Sequence, residues 1–277
     1  MTDEHEIRKM VRKSYAKVAE EGCGCCGPKT SCWGGATTAE QMSGKMGYSP
    51  EEMCSVPEGA NLGLGCGNPL AHAEIHEGDT VLDLGSGAGF DCFLAARKVG
   101  KTGRVIGVDM IPEMLIKARG NAKKAGVTNV EFRLGEIEAL PVADNSVNLI
   151  ISNCVINLSP DKARVFREAY RVLKPGGVLM VSDVVLEHEL PEAVLTSAAA
   201  YASCIAGAVK KEVYLDLIRT ANFSDVTILE ETRVPFDLAL TDPLLKAGLV
   251  SLSHFSNDPA LRDSVKSVKV KAVKRAK

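Results

Sequence analysis

The stretch Thr80-Val81-Leu82-Asp83-Leu84-Gly85-Ser86-Gly87-Ala88-Gly89-Phe90-Asp91 decides how the rest of the chain is read. An apolar run ends in an acid and then breaks into glycines spaced two apart, the pattern of a buried strand feeding a ligand-binding turn. A backbone that turns sharply there needs φ > 0, and a ligand pressed against it leaves no room for a Cβ. The helix that follows presents its amide end to the same ligand.

A glycine-rich turn is common to dinucleotide enzymes and to many ordinary strand-to-helix connections, so the neighbouring segments must decide. Ile106-Gly107-Val108-Asp109 reads as a second strand ending in an acid, placed to take both hydroxyls of an adenosine ribose. That arrangement suits NAD and S-adenosylmethionine alike. Three details favour the methyl donor: the G-x-G-x-G spacing after Asp83, Gly135-Glu136-Ile137-Glu138-Ala139-Leu140-Pro141 after a third strand, and Lys174-Pro175-Gly176-Gly177 ahead of a fifth. Together these resemble class I S-adenosylmethionine-dependent methyltransferases.

From Asp79 onward the pattern alternates strand and helix, with strands near 80–84, 104–108, 130–134, 147–152 and 178–184. Gly100 and Gly126 stand where helices stop, and Pro112 and Pro160 stand at first-turn positions. Further strands near 225–231 and 266–273 read as a closing hairpin. The fold class is therefore α/β: a class I methyltransferase, Rossmann-like, doubly wound sheet of seven mostly parallel strands, with a C-terminal hairpin and helical insertions. Those insertions are a helix from Pro191 to about residue 206 carrying Cys204, a helix over 212–221, and a helical stretch at 242–253. They read as a lid or substrate wall. At the front, Ile7, Met10, Val11, Tyr15 and Val18 recur at helical spacing, so residues 3–20 form an amphipathic helix that packs on the domain or covers its ligand.

The expected organisation is an N-terminal helix and cysteine-rich loop over 1–60, a cofactor-binding domain over 61–186, and a substrate-binding insertion with the last strands over 187–277. With 277 residues the chain can bury a full core, at about 100 to 200 residues per domain. The net charge of −2 leaves no basic footprint for nucleic acid. The lysines near the end alternate with Val268, Val270 and Ala272, which reads as a strand with one solvated face. No secretory signal or run of membrane-spanning length is present, and a cytoplasmic location without membrane or nucleic-acid partners is expected.

Nine cysteines are many for a reducing compartment, so thiol chemistry is favoured over a disulfide framework. Cys92, flanked by Phe93 and Leu94, reads as a small buried hydrophobe, and Cys54 is ambiguous. Cys154, in Asn153-Cys154-Val155-Ile156-Asn157-Leu158, lies at the carboxyl edge of the sheet, where open α/β sheets bind ligands. Cys66 sits among glycines in Leu62-Gly63-Leu64-Gly65-Cys66-Gly67-Asn68-Pro69, on what reads as the least anchored segment. Cys66, Cys154 and Cys204 can converge on one cleft. Cys23, Cys25, Cys26 and Cys32 lie on a glycine-rich stretch that lacks the paired spacing of a zinc site, though zinc there stays open. Scattered thiols without histidines suit a soft ion, and trivalent arsenic is one, binding three sulfurs and keeping a lone pair.

On Asn61 to Pro69, the glycine loop, Ser152 to Leu158 and Cys204-Ile205-Ala206-Gly207-Ala208, the sequence resembles the arsenite S-adenosylmethionine methyltransferase family of the prokaryotic type. The resemblance covers roughly residues 1–225. It implies an enzyme that methylates thiol-bound As(III) to methylarsenite and dimethylarsenite in detoxification, with a thiol reductant such as glutathione or the thioredoxin system. It also implies that Cys66, Cys154 and Cys204 bind As(III) and are the catalytic residues, with Cys26 and Cys32 as further candidates. The N-terminal thiols are placed differently from those of eukaryotic relatives. For S-adenosylmethionine the implied contacts are Asp83, Gly85, Ser86, Gly87, Gly89, Asp109, Met110, Glu136, Ile137 and Asn153. Asp109 would take the ribose, Met110 and Ile137 the adenine faces, and Glu136 its amino edge. Two other readings stay open: a methyltransferase of an organic small molecule, and a thiol-rich metalloid-binding protein.

Overall fold

The computed structural model describes residues 4–21, 38–195, 198–202, 204–233 and 264–276. The N-terminal part holds helices α1 (Glu4–Glu21), α2 (Thr38–Lys45) and α3 (Pro50–Ser55). Strand β1 (Thr80–Leu84), helix α4 (Phe90–Val99), β2 (Arg104–Asp109), α5 (Pro112–Ala125) and β3 (Val130–Leu134) form the first winding. Then come β4 (Val147–Asn153), a 3-10 turn at Ile156–Leu158, α6 (Lys162–Val172) and β5 (Leu173–Leu186). The short helices α7 (Glu192–Leu195) and α8 (Ala198–Ala202), then α9 (Lys211–Thr220), β6 (Ser224–Arg233) and β7 (Val265–Val273), complete the described chain.

The seven strands form one sheet in the order β3-β2-β1-β4-β5-β7-β6. Strands β1 to β5 run parallel, and β7 is antiparallel to both β5 and β6. Strand β1 is buried along its length, and its residues alternate between two cores, as the two-residue period of a strand requires. Leu82 and Leu84 pack with Ile106, Val108, Phe166 and Tyr214 on the α6/α9 face, while Val81 packs with Phe93, Val105 and Leu115 on the α4/α5 face. The strand order reverses between β1 and β4, and that is where a doubly wound sheet opens a crevice at its carboxyl edge.

Several local expectations change. Gly100 and Gly126 cap α4 and α5, and Pro112 opens α5, but Pro160 precedes the Asp161 N-cap of α6 and lies outside the helix. The alanine-rich segment after Pro191 forms two short helices, and Cys204 follows α8 in a turn with φ 64°. The lysines of strand β7 do not form a solvated face: Lys266 and Lys271 are half-buried and Lys269 is buried. Lys269 bonds Glu230 at 2.6 Å, and the Lys274 ammonium bonds the carbonyls of Tyr170 and Leu173 at 2.7 Å. Cys92 is fully buried as expected and Cys54 is exposed. The helical stretch expected at 242–253 and the thiols Cys23, Cys25, Cys26 and Cys32 lie outside the described residues.

Candidate active site

The glycine loop leaves β1 by folding back on β2, with the Gly85 and Ser86 amides both donating to the Val108 carbonyl, at 2.8 and 3.0 Å. Gly87 has φ 51° and open space where a Cβ would stand, so its bare backbone faces the cavity. Gly89 turns the chain into α4, and a Cβ there would strike Phe93 and Phe132. At the end of β2 the Asp109 carboxylate accepts from the Gly87 amide at 2.8 Å and the Ile111 amide at 2.9 Å, which fixes both oxygens at the cavity wall. Burial raises its pKa to about 6.

One cavity runs from this loop along the carboxyl ends of β1, β2 and β4. Asp83, Gly85, Ser86, Gly87, Asp109, Met110, Ile137 and Asn153 line it, together with the thiol-bearing residues Cys154 and Cys204. Gly89 and Glu136 do not line it. The Glu136 carboxylate faces α1, where Arg12 holds it at 2.8 Å, and the wall beside Ile137 is made by Glu138 instead. Glu138 is buried and accepts the Ser159 hydroxyl at 2.6 Å. Helix α1 closes the cavity through Arg8, Val11 and Tyr15, one face of its 3.6-residue repeat.

The charge of the lining identifies the ligand class. Asp83, Asp91, Asp109 and Glu138 face the cavity with Arg8 as the one basic residue among those lining it. Burial and then the neighbouring Asp91 hold the Asp83 carboxyl well above its usual range, while burial lifts Asp91 to about 6. Such a wall opposes a dinucleotide's diphosphate and suits a cation, which restores the ionised carboxylates. Ser86 Oγ and Asn61 Nδ2 are buried at the cavity without hydrogen-bond partners among the described residues, two polar atoms ready for a ligand. The residues therefore fit S-adenosylmethionine, with its sulfonium, ammonium and ribose.

At the far end the thiols converge. Cys154 is the first residue beyond β4, its amide donating to the Ser182 carbonyl at 2.8 Å. Its Sγ, that of Cys66 and a carboxylate oxygen of Asp183 lie within 4.8 Å of one another. Cys204 stands alongside, its thiol donating to the Cys154 carbonyl at 2.8 Å. Cys154 and Cys204 have φ values of 56° and 64°, whereas the other non-glycine residues with positive φ among those described are Asn and Asp, which tolerate it. Strain of this kind, held by surrounding structure, concentrates at functional sites. Hydrogen bonds that its thiol donates to the Cys204 and Cys66 sulfurs, then burial, push the Cys154 thiol well up. For Cys204 the contact with Cys154 pulls the pKa down, but burial and Asp183 outweigh it and the net shift is upward. Both thiols are therefore protonated at neutral pH.

The Cys66 segment is not loosely anchored. Its amide donates to Asn153 Oδ1 at 3.1 Å, and its carbonyl accepts the Ser267 hydroxyl at 2.8 Å. A Cβ at Gly67 would collide with Ser182 Oγ, so this glycine is needed for close approach. Asn153 also donates to the Gly67 carbonyl at 2.8 Å and to Tyr48 and Asp91, at 3.0 and 3.3 Å. One amide thus fixes the Cys66 loop against the strand that carries Cys154.

Residues 75–233 match a family model described as a methyltransferase domain. A solved arsenic(III) S-adenosylmethionine methyltransferase from Chlamydomonas reinhardtii superposes with a TM-score of 0.61 at 33% identity, covering 87% of this chain and 74% of that one. The chain belongs to the arsenic(III) S-adenosylmethionine methyltransferase family. The arsenite methyltransferase of Halobacterium salinarum is 52% identical over 232 residues, 82% of this chain. That of Aquipseudomonas alcaligenes is 41% identical over 206 residues, 72% of this chain. The matched region spans 59% of the length of each of these two relatives.

Within this arsenic(III) methyltransferase family member, sequence reasoning missed Arg8, Tyr48, Asp91, Glu138 and Asp183. Asp91 and Asp183 were within reach of the rule that singled out Asn153, since Asp183 lies near a strand's carboxyl end and Asp91 in the first turn of the helix that follows the glycine loop. Nothing local separates Glu138 from Glu136, because a turn has no period to tell inward from outward positions.

Proposed function

We propose that the chain transfers methyl groups from S-adenosylmethionine to As(III) held by Cys66, Cys154 and Cys204, giving methylarsenite and then dimethylarsenite. The observation that carries this reading is that Cys154 and Cys204 line the same cavity as Asp109 and the glycine loop, with the Cys66 thiol beside Cys154. The donor supplies an electrophilic sulfonium methyl. Asp109, with both oxygens already oriented, holds the ribose; Met110 and Ile137 flank the base; Asp83 and Asp91 face the cationic end. The cysteines hold arsenic with its lone pair free, so no side chain has to remove a proton from the nucleophile. Positioning reacting atoms about 3 to 3.5 Å apart is then the main contribution of the protein.

A thiol reductant, glutathione or thioredoxin, returns arsenic to the trivalent state between methylations. Nothing in the reading requires a membrane or a nucleic acid, and no helix among the described residues is long and apolar enough to span a bilayer. A reducing, cytoplasmic setting suits the protonated thiols. The test is incubation with arsenite, glutathione and donor, measuring arsenic species and S-adenosylhomocysteine. Methylated arsenic with matching S-adenosylhomocysteine is expected from the parent chain, and neither from a Cys66→Ser, Cys154→Ser, Cys204→Ser variant. Turnover of an organic acceptor by that variant would point to organic-substrate chemistry, and arsenite binding without S-adenosylhomocysteine to a binding protein.

A further inference from the structure

Asp183 has no part in the reaction described so far, yet it is completely buried and stands with Cys66 and Cys154. Strand register places it there: Asn153 pairs with Ser182, so the next residues, Cys154 and Asp183, are neighbours across the sheet. The carboxylate is held rigidly. Oδ1 accepts from Asn157 Nδ2 and the Val184 amide, both at 2.9 Å, and Oδ2 accepts from the Tyr214 hydroxyl at 3.0 Å. Two carboxylate oxygens offer about four acceptor positions, so one on Oδ2 is left over. The Cys204 thiol, meanwhile, is engaged with the Cys154 carbonyl.

We propose that arsenite first docks on a two-thiol, one-carboxylate set, with Cys66 and Cys154 forming As–S bonds and Asp183 accepting the hydrogen of the remaining As–OH group. The inference rests on the arsenic reading above and deepens it. The chemistry balances without an oxidant. Each thiol condenses with one hydroxyl of As(OH)3: an As–S bond forms, an As–O bond breaks, and the thiol proton leaves with hydroxide as water. Two condensations give a dithiolate that keeps one hydroxyl. Cys204 then leaves the Cys154 carbonyl and displaces the last hydroxyl as a third water. A buried hydroxyl without a partner is costly, so an acceptor at this place stabilises the intermediate selectively.

The test uses the full chain with Cys23, Cys25, Cys26 and Cys32 changed to serine, so that binding reports on the inner thiols. In that background Cys204→Ala stops the site at the dithiolate stage. Arsenite and phenylarsenite are then titrated with and without Asp183→Asn. Both ligands use the same two thiols, but phenylarsenite keeps a phenyl group where arsenite keeps a hydroxyl. Asp183→Asn is expected to weaken arsenite binding at least tenfold and to leave phenylarsenite within twofold. Equal weakening of both would make Asp183 a purely structural support, and unchanged arsenite binding would remove it from the site; either result overturns the proposal. Failure of the Cys204-containing protein to bind arsenite at all would instead sink the arsenic reading itself.

Discussion

At the scale of single residues, the acids around the cofactor cavity connect stability to binding. Asp109 has an ordinary pKa of 3.8 and a folded value of about 6, and Asp91 is shifted likewise by burial. Between these values the native state holds more protons than the unfolded chain, so the ligand-free protein should lose stability as pH rises from about 4 to about 6. The loss is on the order of 3 kcal/mol per group at most and persists above that window. A cationic donor favours the ionised form, so its affinity should increase from pH 5 to pH 7, with protons released on binding near pH 6. Calorimetry in two buffers of different ionisation enthalpy measures that release; zero release would show these carboxylates already ionised. Asp109→Ala should weaken the donor by about 1.5 to 3 kcal/mol for each hydrogen bond lost while sparing arsenite. The converse holds for Gly67→Ala, whose added methyl meets Ser182 and displaces Cys66: arsenite binding should fall and donor binding should not. Titrating both ligands against both variants distinguishes the two ends of the cavity.

Among the elements, α1 is the one whose role depends on tertiary contacts. Its outer pair, Arg12 with Glu136, is half exposed, and pairs of that kind contribute about 0 to 1 kcal/mol. Arg8 is different, because it reaches buried Glu138 at 3.4 Å and its loss leaves that carboxylate with the Ser159 hydroxyl as its remaining bond on Oε1. Arg8→Ala should therefore destabilise α1 by about 1 to 3 kcal/mol and Arg12→Ala by under about 1. Amide exchange within α1 measures both, and similar rates in the two variants would refute the distinction. The helix was legible as an element from the spacing of Val11 and Tyr15, but its partners Glu138 and the Ala202 carbonyl were not. Strands β1, β2 and β4 were legible for the opposite reason: continuous apolar runs have no other place than a sheet covered on both faces. The alanine-rich segment around α8 misled because helix propensity carries no signal for the left-handed turn at Cys204.

Across the whole molecule, the reversal between β1 and β4 brings a glycine loop and a thiol cluster from distant parts of the sequence to one edge of the sheet. The glycine pattern made the first half of that site readable and the scattered cysteines the second half. What joins them was not readable, since it is made by side chains from three separate segments. Tyr48, buried between α2 and α3, donates to Asp91 at 2.7 Å, and Asn153 donates to both while holding the Cys66 loop. Asp91 heads α4 directly after the glycine loop and lines the donor end of the cavity. A cation that draws Asp91 into its ionised form strengthens the bonds from Tyr48 and Asn153, and through Asn153 it fixes the spacing of Cys66 and Cys154. Donor and arsenite should therefore bind with positive coupling. By linkage each should tighten the other by the same factor, typically about 5 to 150. Tyr48→Phe removes the hydroxyl at the centre of this network but touches neither arsenic nor any residue that holds it by a covalent bond. Its expected effect is on the coupling: arsenite affinity without donor should change little, and the enhancement produced by S-adenosylhomocysteine or the donor should shrink towards unity. Four titrations, each ligand alone and in the presence of the other, close the cycle for parent and variant. A coupling factor that is unchanged in Tyr48→Phe would mean that the two ends of the cavity communicate by another route, with the helix α1 contacts to Glu138 and to the Cys204 turn as the next to test.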